Sequence, residues 1–204
     1  MKTTLMNTLL VAGIAAAGIA TKAFAQKAEK TNFEITQNVS SIQWTGKKLT
    51  GEHTGTILLK TGTAEVTDGK LTGGMFEIDM QTIANTDMEG EYKTKLETHL
   101  KSDDFFSAQK FPVAILEITK AEITKNNTYN ITAKLTIKGI TREITFPATA
   151  EIEKNKFAAY ADFNIDRTLW DIRYGSKKFF EDIGDKMIYD EFNLKIKIGA
   201  TLIR

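Results

Sequence analysis

The sequence predicts a mainly β, antiparallel fold built from many short strands. Phe76, Ile78 and Met80 alternate with the polar residues between them. Successive side chains of a strand point to opposite faces, so such a run places one apolar face inward and one polar face outward. Parallel sheets would show continuous apolar runs instead. The same alternation returns in residues 129–138, 144–152, 157–165 and 192–200.

Turn residues separate these runs and support the same fold class. Asp68-Gly69 divides residues 63–67 from residues 70–80 and is a hairpin signal. Two architectures fit many short strands with regular turns, a sandwich and an up-and-down barrel, and the alternation alone does not choose between them. Further turns are predicted at 125–127, 138–139 and 154–155.

One long stretch, residues 85–108, breaks the alternation. Within it Leu96, His99 and Leu100 fall at helical spacing, as does Tyr92. This spacing predicts a helical insertion between two strands. A second irregular stretch, residues 168–185, precedes the last strand.

The first residues have the pattern of an export signal. Met1-Lys2 gives a charged start, an apolar run follows at 9–20, and Ala23-Phe24-Ala25 is a small-x-small cleavage pattern. The apolar run falls short of the roughly 20 residues that span a bilayer, which disfavours the alternative of an uncleaved anchor. We therefore expect a signal peptide over 1–25, a flexible lead-in over 26–38 and one folded domain over 39–204, located in the periplasm without a stable membrane anchor.

Composition and charge narrow the classes of partner. The chain has no cysteine, so it forms no disulfide and carries no acylated cysteine. Loss of Lys2 and Lys22 with the signal peptide lowers the net charge from +1 to about −1. Lysines and acids are interspersed, whereas nucleic-acid affinity depends on clustered cations. No nucleic-acid partner is expected.

Three segments of the sequence carry a family pattern: His99–Phe106 with Lys110–Pro112, Leu135–Arg142, and Ile165–Trp170. Taken in this order, they resemble the YceI-like family. Small departures occur: Trp170-Asp171 stands where the family more often has phenylalanine-glycine, Arg142 replaces lysine, and Leu116 replaces a common phenylalanine.

The resemblance implies an antiparallel eight-stranded lipocalin-like barrel with a short helical insertion. It also implies a binding protein without a cofactor, not an enzyme, and it is consistent with a homodimer. The implied ligand is a polyisoprenoid, a quinone-like lipid or a fatty amphiphile in a central tunnel. A barrel of eight strands is large enough to enclose one such ligand. Each buried methylene would contribute about 0.8 kcal/mol.

The expected ligand contacts divide into walls, head-group contacts and mouth. Inward rows of the strands supply the walls, and a guanidinium group suits an anionic head. The head is expected near His99, Asp104 and Arg167. The alternative for Asp166-Arg167 is an ion pair at the rim that organises the following loop. The mouth is expected at Phe105, Phe106 and Trp170. The predicted wall residues are Phe76, Ile78, Leu116, Leu135, Ile137 and Phe163.

Two other functions remain open from the residues. An enzyme acting on such a lipid would use His99 with Asp103 or Asp104 as acid and base. A structural or stress-response envelope protein would have a closed interior and an exposed apolar patch. No metal site is predicted, because the only two histidines, His53 and His99, show no metal-ligand spacing.

Overall fold

The computed structural model describes residues 28–181 and 184–203. The predicted signal peptide lies outside these residues. The described residues form nine strands and one α-helix. In chain order these are β1 (Lys30–Ile35), β2 (Ser41–Lys48), β3 (Gly51–Thr67), β4 (Lys70–Asn85), α1 (Gly90–Lys101), β5 (Val113–Lys125), β6 (Thr128–Ile137), β7 (Ile140–Ile152), β8 (Lys156–Asp166) and β9 (Ile188–Leu202).

Strands β2 to β9 close into an antiparallel barrel. Each of these strands pairs with its neighbours in the chain, β2 also pairs with β9, and no open edge is left between them. Closure removes the unpaired edges that a sandwich keeps. The eight-stranded barrel with one short helix is therefore confirmed, and the sandwich is excluded.

The predicted flexible lead-in is wrong in part, because residues 30–35 form β1. This strand pairs with the end of β3 and with the last residues of β9. Phe33 is 1% exposed, and its ring lies 5.9 Å from the ring of Phe157. The segment offers only two alternating apolar residues, Phe33 and Ile35, too few to be recognised as a strand from period alone.

The predicted hairpins are confirmed at their turn residues. Asp68 and Gly69 have φ of 51° and 73°, and Lys138 and Gly139 have φ of 51° and 73°. Positive φ at both central residues is what a two-residue type I′ turn requires. These turns fix the register of β3 with β4 and of β6 with β7, and so decide which side chains point inward.

The insertion predicted between strands is α1, at the end of the barrel where β4 ends and β9 begins. We call this the helix end. Leu96 and Leu100 of α1 line the barrel interior, whereas Tyr92, one turn earlier, is 75% exposed. The helix thus covers part of one barrel opening with its C-terminal half.

The ladder between β7 and β8 is short. β7 pairs with β6 along residues 140–149, but it pairs with β8 only over Ala148–Ile152. Pro147, whose missing N–H predicts a strand start or edge, lies inside β7 directly before this ladder. The segment that follows β8 bridges the remaining seam, where Arg142 Nε donates to the Leu169 carbonyl at 3.1 Å.

Candidate ligand-binding site

The barrel encloses an apolar cavity of about 260 Å³. Inward-facing side chains of β2 to β9 form its walls, and Leu96 and Leu100 of α1 contribute at the helix end. Several wall residues, including Ile78, Leu116 and Phe163, are only half-buried although they point inward. The side chains therefore do not fill the interior, and one apolar ligand has room there.

All six predicted wall residues line this cavity: Phe76, Ile78, Leu116, Leu135, Ile137 and Phe163. Of the residues expected at the mouth or head group, Phe105, Phe106 and Arg167 also line it. The alternation of apolar and polar residues predicts such wall positions, because the strand period and the register set by the turns decide which side chains point inward.

Trp170 does not line the cavity, contrary to the expectation for the mouth. Its side chain is fully buried, and its Nε1 donates to the Leu135 carbonyl at 3.1 Å. The indole ties the segment after β8 to the backbone of β6. A buried tryptophan usually finds such a partner for its N–H.

His99 and Asp104 also lie outside the cavity lining. They pair with each other, with His99 Nε2 3.3 Å from Asp104 Oδ2. The His99 ring packs edge-on against Tyr174 at 4.5 Å and against Phe105 at 5.0 Å. His99 therefore supports Phe105, which does line the cavity, and is not itself part of the wall.

Asp103 forms a separate pair and does not contact His99. It lies 2.6 Å from Lys110 Nζ and accepts a hydrogen bond from Ser107 Oγ at 2.9 Å. The hydrogen bond from Lys110, together with that from Ser107, holds the pKa of Asp103 below its usual value. These contacts organise the turn after α1 and bring no acid–base pair to the cavity.

Arg167 lines the cavity, but its guanidinium is engaged with the protein backbone. It is 3% exposed and donates to the carbonyls of Tyr189, Ile172 and Ile188 at 3.2, 2.8 and 3.1 Å. Asp190 Oδ1 also lies 3.6 Å from Arg167 Nη2. Arg167 thus joins the segment after β8 to the start of β9. Its guanidinium positions these two segments, whereas the sequence predicted that it would contact the head group.

Asp166 and Arg167 do not form the ion pair with each other that was the alternative expectation. Asp166 Oδ2 instead lies 2.6 Å from Lys178 Nζ, and its Oδ1 accepts from the N–H of Thr168 at 2.9 Å. Burial on its own would raise the pKa of Asp166, but the hydrogen bonds from Lys178 and Thr168 lower it on balance. Asp166 and Arg167 each hold a different part of the same loop.

Three basic residues that the sequence interpretation did not select line the cavity at the helix end: Lys47, Lys48 and His53. The register of β2 with β9 shifts there, since Gly46 pairs with Phe192 but Lys48 pairs with Ile188. Such bulges redirect the side chains beside them. Strict alternation assigns consecutive residues to opposite faces, so it could not predict that both lysines line the cavity.

His53 belongs to a hydrogen-bonded network that fixes its ring. Its Nδ1 lies 2.9 Å from Asp87 Oδ2, and Asp87 Oδ1 accepts from the N–H of Thr54 at 2.8 Å and from the Asn85 amide. Burial alone would raise the pKa of Asp87, but the hydrogen bonds from His53, Thr54 and Asn85 lower it overall. Because an ionised carboxylate only accepts, Nδ1 of His53 carries the proton.

Asn85 connects this network to α1. Its side chain is fully buried, its amide nitrogen donates to the Thr54 carbonyl at 3.0 Å, and its backbone N–H donates to Glu97 Oε1 at 2.8 Å. Met88 N–H donates to the Asn85 side-chain oxygen at 2.9 Å. A buried amide satisfied on all sides fixes the position of α1 over the helix end.

In residues 28–181 and 184–203, no group of three or more histidine, aspartate or glutamate side chains is placed to hold a metal ion. Across the same residues, no helix is both long enough and apolar enough to cross a membrane.

Comparison with known proteins agrees with this geometry. No curated protein matches the chain. The crystal structure of Burkholderia cenocepacia BcnA is similar with a TM-score of 0.63 and 20% identity, covering 82% of this chain and 99% of that one. A Saccharophagus degradans domain described as polyisoprenoid-binding and implicated in plant cell wall breakdown has a TM-score of 0.62 and 10% identity, covering 84% and 98%.

The Campylobacter jejuni YceI protein is also similar, with a TM-score of 0.52 and 22% identity, and the match covers 67% of this chain and 75% of that one. At such identities these likenesses concern the fold. The model of the YceI-like domain matches residues 33–200, which include β2 to β8 and all but the last two residues of β9. The chain belongs to the YceI-like family.

Proposed function

We propose that this protein binds the long apolar chain of an amphiphilic lipid, of the isoprenoid type or a similar one, inside the barrel. The observation that carries the proposal is the open apolar cavity along the barrel interior. The description of the similar Saccharophagus degradans domain as polyisoprenoid-binding supports the choice of ligand class. A quinone-like lipid and a fatty amphiphile have the same apolar chain and belong to the same proposal.

Apolar burial supplies the binding energy in this account. The walls carry aliphatic and aromatic side chains, so an apolar chain can bind there without any hydrogen-bonding group of its own. Each methylene transferred from water contributes about 0.8 kcal/mol. A long tail thus binds tightly without any specific hydrogen bond, and only the head requires polar groups.

Binding without catalysis is the better account of this site. The acid–base candidates of the enzyme hypothesis, His99 with Asp104, pair outside the cavity, and Asp103 is held by Lys110. A general acid or base must reach the reacting atom within hydrogen-bonding distance. A ligand within the barrel would not meet these groups.

The proposal includes export to the periplasm after cleavage behind Ala25, based on the N-terminal sequence pattern. A homodimer remains part of the hypothesis and is tested by the same mass measurement as the ligand.

Native mass spectrometry of the protein purified from its own cell envelope tests the proposal, followed by organic extraction and identification of what is released. We expect a mass excess that corresponds to one prenylated or long-chain lipid per chain. A bare protein that also takes up no added isoprenoid would refute the lipid-binding function and favour the structural alternative.

A matched pair of variants tests whether the barrel interior is the binding site. Ala161 lines the cavity near the middle of β8, whereas Ala158 on the same strand points outward and is exposed. We expect Ala161→Trp to block lipid uptake and Ala158→Trp to leave it unchanged. Overpacking costs about 1–3 kcal/mol, so the tryptophan could also destabilise the fold. Thermal unfolding of both variants is therefore measured to check that they remain folded.

A further inference from the structure

The surface that lines the cavity is apolar, and the charged residues whose carbon atoms contribute to it are of one sign. Among the described residues that line the cavity, the charged side chains are Lys47, Lys48 and Arg167, with His53 as a fourth basic group; no aspartate or glutamate lines it. All four lie at the helix end. Arg167 is engaged by backbone carbonyls, so Lys47, Lys48 and His53 are the groups left for a ligand.

The two lysines lie where a head group would emerge. Both are on the last two positions of β2, beside Ile188 and Tyr189 at the start of β9, and all four residues line the cavity. Lys47 Nζ lies 3.5 Å from Glu52, with both side chains more than half exposed. An exposed pair of this kind is weak, so Lys47 is able to exchange Glu52 for a ligand anion.

His53 is held in position for the same task. Asp87 accepts from its Nδ1 at 2.9 Å, which leaves Nε2 as the ring nitrogen available to a ligand. In its protonated form the ring donates from both nitrogens, so Nε2 can donate to an anion. Asp87 itself is turned to Thr54, Asn85 and His53 and is not part of the lining.

We propose that Lys47, Lys48 and His53 form a binding site for an anionic head group, a phosphate or a carboxylate, so that the ligand of this barrel is an anionic lipid. This inference rests on the proposed function, since it names the head-group class of the same ligand. A neutral lipid would leave the cationic groups at the opening unused.

The test compares probes with one tail and different heads. Decyl phosphate, decanoate and decanol are titrated below micelle-forming concentrations into the full-length protein that has been stripped of lipid. We expect both anions to bind at least about tenfold more tightly than decanol, because hydrogen bonds to charged groups exceed those to neutral ones. The preference should shrink as salt is raised.

Variants assign the preference to these residues. Lys47→Gln/Lys48→Gln should lose most of the preference for the anions and keep the affinity for decanol. His53→Gln should lose part of it. The control is Lys154→Gln/Lys156→Gln, which removes the same charge from exposed lysines at the opposite end of the barrel and should change neither affinity.

Each outcome separates this inference from the proposed function. Equal binding of the anions and decanol by the unaltered protein overturns the anionic site while the lipid-binding function stands. An unchanged preference in either variant overturns the role of the residues that it removes. Failure of all three probes to bind overturns the proposed function itself.

Discussion

The rings of Phe146 and Phe163 stack with their centroids 4.1 Å apart and their planes inclined by 10°. They face each other across β7 and β8, beyond the five residue pairs that join these strands. Both rings line the cavity. A side-chain contact thus bridges the barrel wall where the backbone ladder is missing.

We expect this stack to contribute measurably to stability. In a double-mutant cycle with Phe146→Leu and Phe163→Leu, the coupling free energy should be about 0.5–1.5 kcal/mol, the range for aromatic pairs beyond their burial. Chemical denaturation of the four proteins measures it. Strictly additive effects of the two substitutions would show that the stack does not join the strands.

Asp87→Asn should lower the free energy of unfolding at neutral pH. The pKa of Asp87 is lowered in the folded protein, so its carboxylate contributes stability that is present above its unfolded pKa of about 3.9 and is lost as pH falls through the lower folded pKa. The difference between variant and parent, measured by denaturation from neutral to acidic pH, should therefore diminish below about pH 4.

The control for this prediction is Asp185→Asn, an exposed aspartate at the same end of the barrel. Surface substitutions of this kind usually change stability by less than about 0.5 kcal/mol. A difference between Asp87→Asn and the parent that is constant down to the most acidic pH would contradict the role given to the carboxylate.

Trp170→Phe should destabilise the fold without changing lipid affinity. The substitution removes the donor to the Leu135 carbonyl, and a buried acceptor left without a partner costs about 1–3 kcal/mol. Trp170 does not line the cavity, so the folded variant should bind as the parent does. Thermal unfolding and lipid titration measure the two effects separately. Weaker lipid binding with unchanged stability would instead show that Trp170 contacts the ligand.

Arg167→Lys should also lower stability, on the order of 2 kcal/mol, since a lysine is a point charge and cannot donate to three carbonyls in the geometry of a guanidinium. Arg173→Lys is the control, because Arg173 is largely exposed and pairs with exposed Asp171. Equal unfolding midpoints for the two variants would contradict the role of the Arg167 guanidinium in joining the segment after β8 to β9.

The sequence predicted the residues along the walls of the cavity better than those at its helix end. Phe76 and Ile78, or Leu135 and Ile137, are two residues apart on one strand, and strand period alone places each pair on one face. Lys47 and Lys48 are consecutive, and both line the cavity beside the register shift between β2 and β9. Gly46, a glycine inside the strand, is a local signal for a bulge, but it does not indicate which side chains turn inward.

His53 and Asp87 show the same limit over a longer distance. They are brought together by the pairing of β3 with β4, in which Gly55 lies opposite Asn85. His99, by contrast, was selected because acids lie next to it in the chain, and its pairing with Asp104 proved to be local. Neighbours in the sequence thus indicated only the local pairing of His99 with Asp104 after α1. That His53 lines the cavity could be seen only from the tertiary fold.

The central claim is that the barrel interior holds the apolar chain of a ligand, and the dependence of affinity on chain length tests it most directly. Primary alcohols of about six to twelve carbons, titrated into lipid-free protein, should gain up to about 0.8 kcal/mol of binding free energy per methylene until the cavity is filled. Ala161→Trp, which is expected to block the uptake of a long lipid, should end this gain at a shorter alcohol than the parent does. An affinity that does not depend on chain length, or the same dependence in Ala161→Trp, would contradict the account.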